Sequence, residues 1–255
     1  MEIKEIPNKN IPKFEPIKEI MNIQIPDIID GVPNRNGFIW VLSGSGGSGK
    51  SSMLLNFFKS KRLYKMKFTN IFYICPQSSY LSVSNHPFEK HDQTRIFHEL
   101  NSDVLDEIYS ELKEIKKENA DYVEMLANGE VEEGDYQYNC VIIDDFADAL
   151  KDNEIQKKLN QMLIKARHLS CAFIFTLQSY YYFPKMLRKQ ITNISIFKPK
   201  NTEEWNSITK EILHMNKEDG AKLYDYVYSE PYSHLDIDTL SDTLYKNFNL
   251  LEIKK

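Results

Sequence analysis

In the run VLSGSGGSGKSS, from Val41 to Ser52, a lysine and two serines directly follow a glycine-rich stretch. Gly44, Gly49, Lys50 and Ser51 fall at the spacing G-x-x-x-x-G-K-[ST]. Backbone N–H groups of such a turn converge on phosphate oxygens, and the positive end of a following helix adds its partial charge. The expected ligand is a nucleoside triphosphate, held by Gly44, Ser45, Gly46, Gly47, Ser48, Gly49, Lys50, Ser51 and Ser52. In this reading Lys50 reaches the outer phosphates and Ser51 ligates Mg²⁺. A flexible linker would need neither the lysine nor the apolar segments on both sides.

The second group of chemical residues is CVIIDD, where Cys140 to Ile143 run as an apolar strand into Asp144 and Asp145. Asp144 is expected in the Mg²⁺ shell, with Asp145 orienting or deprotonating a water. Gln178 ends another apolar run, CAFIFTLQ, where an amide can hydrogen-bond both the γ-phosphate and the attacking water. If that strand lies between the glycine-loop strand and the CVIID strand, Gln178 falls beside the reaction centre. Arg167 precedes the same strand, at the opposite edge of the sheet, so it could reach only a neighbouring subunit's nucleotide. Arg188 is a second candidate for that role, and His168 reads as structural.

These residues need strands that end where helices begin. Phe38 to Leu42, Asn70 to Cys75, Cys140 to Ile143, Cys171 to Thr176 and Ile191 to Phe197 read as strands alternating with helices, the pattern of a mostly parallel α/β sheet. Val104, Ile108, Tyr109, Leu112 and Ile115 recur at helical spacing over Ser102 to Ala127, with Asn101 or Ser102 as the cap. The expected organisation is an extended arm over 1–36, rich in proline, an ATPase core over 37–200, and a mostly helical extension over 201–255.

The chain has 255 residues, a net charge of −5 and three cysteines. That length buries one principal core. Cys75, Cys140 and Cys171 sit in apolar runs without metal-ligand spacing, as buried thiols of a reducing compartment would. No apolar run is long enough to span a membrane, and MEIKEIPNKN lacks a signal-peptide core, so a soluble protein is expected. The acidic balance argues against coating nucleic acid by bulk charge. Two acid-free stretches, Met53 to Pro87 and Ser179 to Lys200, could still touch a phosphodiester backbone, the second beside the aromatic run Tyr180 to Phe183.

Taken together, GSGGSGKSS, NIFYICPQ, CVIIDDF and RHLSCAFIFTLQSYYYFPKMLRKQITN resemble the genome-packaging ATPases of large DNA viruses and virophages, the poxvirus-type branch of the FtsK/HerA superfamily. The resemblance runs from about Phe38 to Phe197. It implies a RecA-like P-loop NTPase, Mg²⁺-ATP, a homo-oligomeric ring, and movement of double-stranded DNA into a preformed capsid through a vertex or portal-type protein. It also implies residence in a cytoplasmic virus factory or the virion. By motif it assigns nucleotide to Gly44 to Ser51, metal and water to Asp144 and Asp145, γ-phosphate sensing to Gln178, and a trans finger to Arg167. Ser51 stands where threonine is commoner, and Asp145 where related motors have glutamate. The rival readings are a P-loop kinase for a small acceptor and a nucleotide-dependent assembly scaffold; no lid rich in arginine supports the first.

Overall fold

The computed structural model describes residues 24–132, 134 and 136–253. Nine strands form one sheet in the order β3-β2-β4-β5-β1-β6-β7-β8-β9. They are β1 Ile39–Ser43, β2 Asn70–Ile74, β3 Ile96–Phe97, β4 Asn139–Asp144, β5 Cys171–Leu177, β6 Asn193–Phe197, β7 His234–Asp238, β8 Thr243–Lys246 and β9 Asn249–Leu250. The pairings from β3 across to β6 are parallel, and those from β6 to β9 are antiparallel. The helices are α1 Lys50–Phe57, α2 Gln77–Leu81, α3 Ser102–Ala127, α4 Asn153–Ile164, α5 Lys185–Arg188, α6 Thr202–Glu211 and α7 Lys217–Val227.

Strands buried on both faces need apolar residues at every position, because alternate side chains point to opposite sides. Ile39, Val41, Val141, Ile143, Phe173 and Phe175 face one layer with Leu105, Ile108, Leu112, Leu159 and Ile208 of the long helices. Trp40, Leu42, Cys140, Ile142, Ala172 and Ile174 face the other, with Leu54, Phe57, Phe58 and Tyr64 of α1 and the segment after it. This alternation gives the site a defined face, since Tyr73, Asp144, Thr176 and α1 lie on the second side.

α3 starts and ends as its periodicity predicts, capped by the Asn101 side chain, which accepts from the Val104 N–H at 3.0 Å. Residues 1–23 of the expected arm lie outside the described residues. Residues 24–36 fold back on their own chain: Gln24 bridges Arg35, Ile25 and Val32 are buried, and the Tyr64 hydroxyl donates to the Pro33 carbonyl at 2.7 Å. The expectation of a mostly helical stretch after residue 200 needs correction. α6 and α7 are there, but the strands β7, β8 and β9 follow and widen the sheet. In β7 the polar residues His234 and Asp236 are buried and paired. Asp236, 4% exposed, accepts from the Ser195 hydroxyl at 2.5 Å and from the Phe248 N–H at 2.9 Å, and pairs with His234.

Candidate active site

The glycine loop joins the end of β1 to the start of α1. Gly49, the residue before the helix, has φ 101°, a conformation that a Cβ would strain. At Gly44 a Cβ would lie 2.6 Å from the Phe197 Cβ, so the loop can pass β6 only as glycine. No side chain caps α1 and no acid stands in its first turn, which leaves its first N–H groups for an anion. Ser48 Oγ is a buried polar atom without a partner. The buried Lys50 ammonium donates to the carbonyls of Gly44 and Ser45, the second at 3.1 Å. Burial lowers the Lys50 pKa, opposed by the charges of Asp145 and Asp144. A cationic, glycine-walled loop with an orphan hydroxyl fits a polyphosphate.

β5 does lie between β1 and β4, with Asp144 in register with Thr176. Asp144 is 4% exposed and held from both sides. The Thr176 hydroxyl donates to Oδ1, and the Tyr73 hydroxyl donates to Oδ2 at 2.9 Å. Burial raises the Asp144 pKa, while those two hydrogen bonds lower it. Asp145 leaves the strand line at φ 63° and is exposed, its N–H donating to Thr176 Oγ1 at 3.2 Å. Gln178 follows β5, and its Nε2 donates to Asp145 Oδ1 at 3.4 Å. Lys50, Asp144, Asp145 and Gln178 therefore meet at one edge. Ser51 and Ser52, in the first turn of α1, are exposed at that edge. Among the described residues no cluster of three or more His, Cys, Asp or Glu could hold a metal; Ser51 and Asp144 carry a hydroxyl and a carboxylate, oxygen donors of the hard kind that Mg²⁺ takes.

Three further residues shape the site and are inconspicuous in the sequence. Tyr73 and Thr176 were hidden inside apolar strand runs; their shared parity with Asp144 was the available signal. Glu204, 8% exposed, accepts from the Ser179 hydroxyl and the Tyr180 N–H, both at 2.7 Å, and so fixes the loop that carries Gln178; nothing local in α6 signals it.

Arg167 sits at the other edge, its backbone against Gly37, and is exposed. The seven residues of β5 separate it from Gln178 by about 20 Å. Arg188 is only 13% exposed: it donates to the Phe183 carbonyl at 3.0 Å, pairs with Glu211 at 3.3 Å and stacks 4.5 Å from the Tyr180 ring centroid. These contacts commit Arg188 to shaping its own loop. In that loop Tyr180 and Phe183 belong to the core, whereas Tyr181, Tyr182, Lys185, Met186 and Lys189 are exposed.

A parallel sheet with a phosphate loop after β1 and an acidic strand end two places away defines a P-loop ATPase of RecA-like architecture. Residues 33–247 match the family described as Poxvirus A32 protein, and the chain belongs to that family. Solved structures support the same fold. The genome packaging NTPase B204 of Sulfolobus turreted icosahedral virus 2, in complex with AMP, is 18% identical with a TM-score of 0.54, covering 86% of this chain and 100% of that one. EssC ATPases 2 and 3 of Geobacillus thermodenitrificans align at TM-score 0.58 and 15% identity, over 84% of this chain and 40% of that one. The pCW3 conjugation coupling protein TcpA, in its monomer form with ATPγS, aligns at TM-score 0.53 and 15% identity, over 89% and 67%. No curated protein matches the chain.

Proposed function

We infer that this protein is an ATP-driven motor that packages viral double-stranded DNA. The observation that supports the reading most is the meeting of Lys50, Asp144, Asp145 and Gln178 at one sheet edge, in a chain of the Poxvirus A32 protein family. The glycine loop and Lys50 bind and orient the triphosphate. Ser51 and Asp144 would hold Mg²⁺, which supplies charge neutralisation on the phosphates when bound. Asp145, exposed and turned out of the strand, accepts a proton from the attacking water, and Gln178 fixes the direction of that carboxylate. Arg167 acts on a neighbouring subunit in a ring, and the exposed Tyr181, Tyr182, Lys185 and Lys189 offer a surface to the DNA backbone. B204 is itself a genome packaging NTPase, and a capsid vertex protein is the expected docking partner.

Steady-state ATP hydrolysis with and without long double-stranded DNA tests this. Turnover without any small-molecule acceptor is expected, and it rises when DNA is added. Asp145→Asn should lose at least about 100-fold in kcat while nucleotide binding survives. Release of ADP only when a nucleoside or metabolite is supplied would establish a kinase instead. Unchanged turnover in Asp145→Asn would remove that residue as the base.

A further inference from the structure

We propose that Tyr232 is a stacking platform for the nucleobase, in a cleft that accepts adenine and guanine alike. The proposal rests on the nucleotide reading above and adds where the base lies. In the strand order β4-β5-β1-β6-β7, the carboxylates and Gln178 lie on one side of β1. The reacting end of a triphosphate points to that side, so its nucleoside must leave over β6 and β7. A cleft of about 420 Å³ opens there, between residues 45–48 of the glycine loop and residues 197–200, with Tyr224 and Tyr232 in its wall. The size suits a nucleoside.

Tyr232 immediately precedes Ser233 and β7, with φ 62°, a conformation costly for a bulky side chain. Phe248 shares that conformation but is used in packing, with rings of Trp40, Phe57 and His234 within 6.2 Å. Tyr232 instead stays 73% exposed, while its Cδ1 lies 3.5 Å from where a Cβ on Gly49 would be. A strained backbone thus holds an open aromatic face beside the phosphate loop. Among the described residues, no Asp, Glu, Asn or Gln lines this cleft. Those are the side chains that pair with the amino-bearing edge of a purine; Lys198 and Lys200 line the cleft as well, and as flexible point-like donors they can reach N7 of either purine. Recognition through the ring face tolerates any base.

Michaelis constants for ATP, GTP and ribose 5′-triphosphate, measured on wild type, Tyr232→Ala and Tyr232→Phe, decide the matter. Tyr232→Ala should raise KM for ATP and GTP about tenfold and leave ribose triphosphate and kcat within about twofold. Tyr232→Phe should match wild type. Wild-type KM for ATP and GTP should agree within about threefold. Equal losses for all three substrates would mean that Tyr232 supports the phosphate loop rather than the base, overturning the proposal. So would no loss in Tyr232→Ala, or a large preference for one purine. Failure of the nucleotide reading looks different: wild type and Lys50→Ala would be equally unable to bind any triphosphate.

Discussion

In its proposed role as a metal ligand Asp144 needs a fixed direction, and two hydroxyls supply one. Thr176 and Tyr73 donate to its two oxygens from the strands on either side, inside a layer where Asp144 is almost fully buried. Removing one donor leaves a buried carboxylate oxygen unsatisfied and free to turn. Tyr73→Phe should therefore weaken Mg²⁺ activation about tenfold, in the range seen for residues that orient metal ligands. Magnesium titration of turnover at saturating ATP reads this as a shift in half-activation, with kcat at saturating Mg²⁺ changed much less. The same shift should appear in the protection of the protein against heat by Mn²⁺ with ADP. An unmoved half-activation point would show that Thr176 alone positions Asp144. Asp144 and Asp145 were legible as chemistry because two acids closing an apolar run are unusual. Tyr73 and Thr176 were not, because a tyrosine or threonine inside a strand is ordinary until a neighbouring strand places a carboxylate opposite it.

The segment between β2 and α3 makes the ring layer that surrounds Tyr73. His86, 4% exposed, lies 4.4 Å from the Tyr80 ring centroid, 5.3 Å from Tyr73 and 5.4 Å from Phe88. Its Nδ1 accepts the Phe88 N–H at 3.2 Å, and Nε2 is buried without a partner. Burial pushes the His86 pKa down to about 4; Glu89 opposes this and Lys59 adds to it. A depressed pKa contributes stability above the ordinary value of 6.5, and that contribution drains away as pH falls toward about 4. Up to about 3 kcal/mol is involved. Urea unfolding between pH 7.5 and pH 4 should show this loss in wild type, and His86→Phe should flatten it; parallel profiles would place the acid sensitivity elsewhere. Elements differed in how openly the sequence announced them. β1, β2, β4 and β5 are continuous apolar runs because both faces are covered, and α3 has a clean amphipathic period. β7 alternates too, as His-Leu-Asp-Ile-Asp, but its buried Asp236 and His234 mimic a solvent face. Pairing with β6 and β8 makes that strand an interior one, and the Ser195 hydroxyl and the Phe248 N–H satisfy its buried carboxylate.

At the scale of the molecule, the sheet separates two functions by its own length. Lys50, Asp144, Asp145 and Gln178 gather at the carboxyl edge, and Arg167 stands at the amino edge, about 20 Å away along β5. No rotamer of an arginine closes that distance, so a role for Arg167 in hydrolysis requires a second copy of the chain. Arg188, nearer the site, is tied to Phe183, Glu211 and Tyr180 and cannot swing across without breaking its loop. Two inactive variants can separate these possibilities. Arg167→Ala should bind nucleotide and oligomerise normally but lose on the order of 1000-fold in turnover, as loss of a finger arginine does. Asp145→Asn is inactive for a different reason, since its site lacks the base while its Arg167 is intact. Mixed before assembly, the two should recover activity, because about a quarter of the interfaces then pair an intact site with an intact arginine supplied by the neighbour. An arginine acting within its own subunit yields no recovery at any mixing ratio, since every subunit then carries one defect. Recovery that rises with the Asp145→Asn share and passes through a maximum near equal amounts is the signature of a shared site, and it would tie the catalytic cycle of each subunit to the presence of the next.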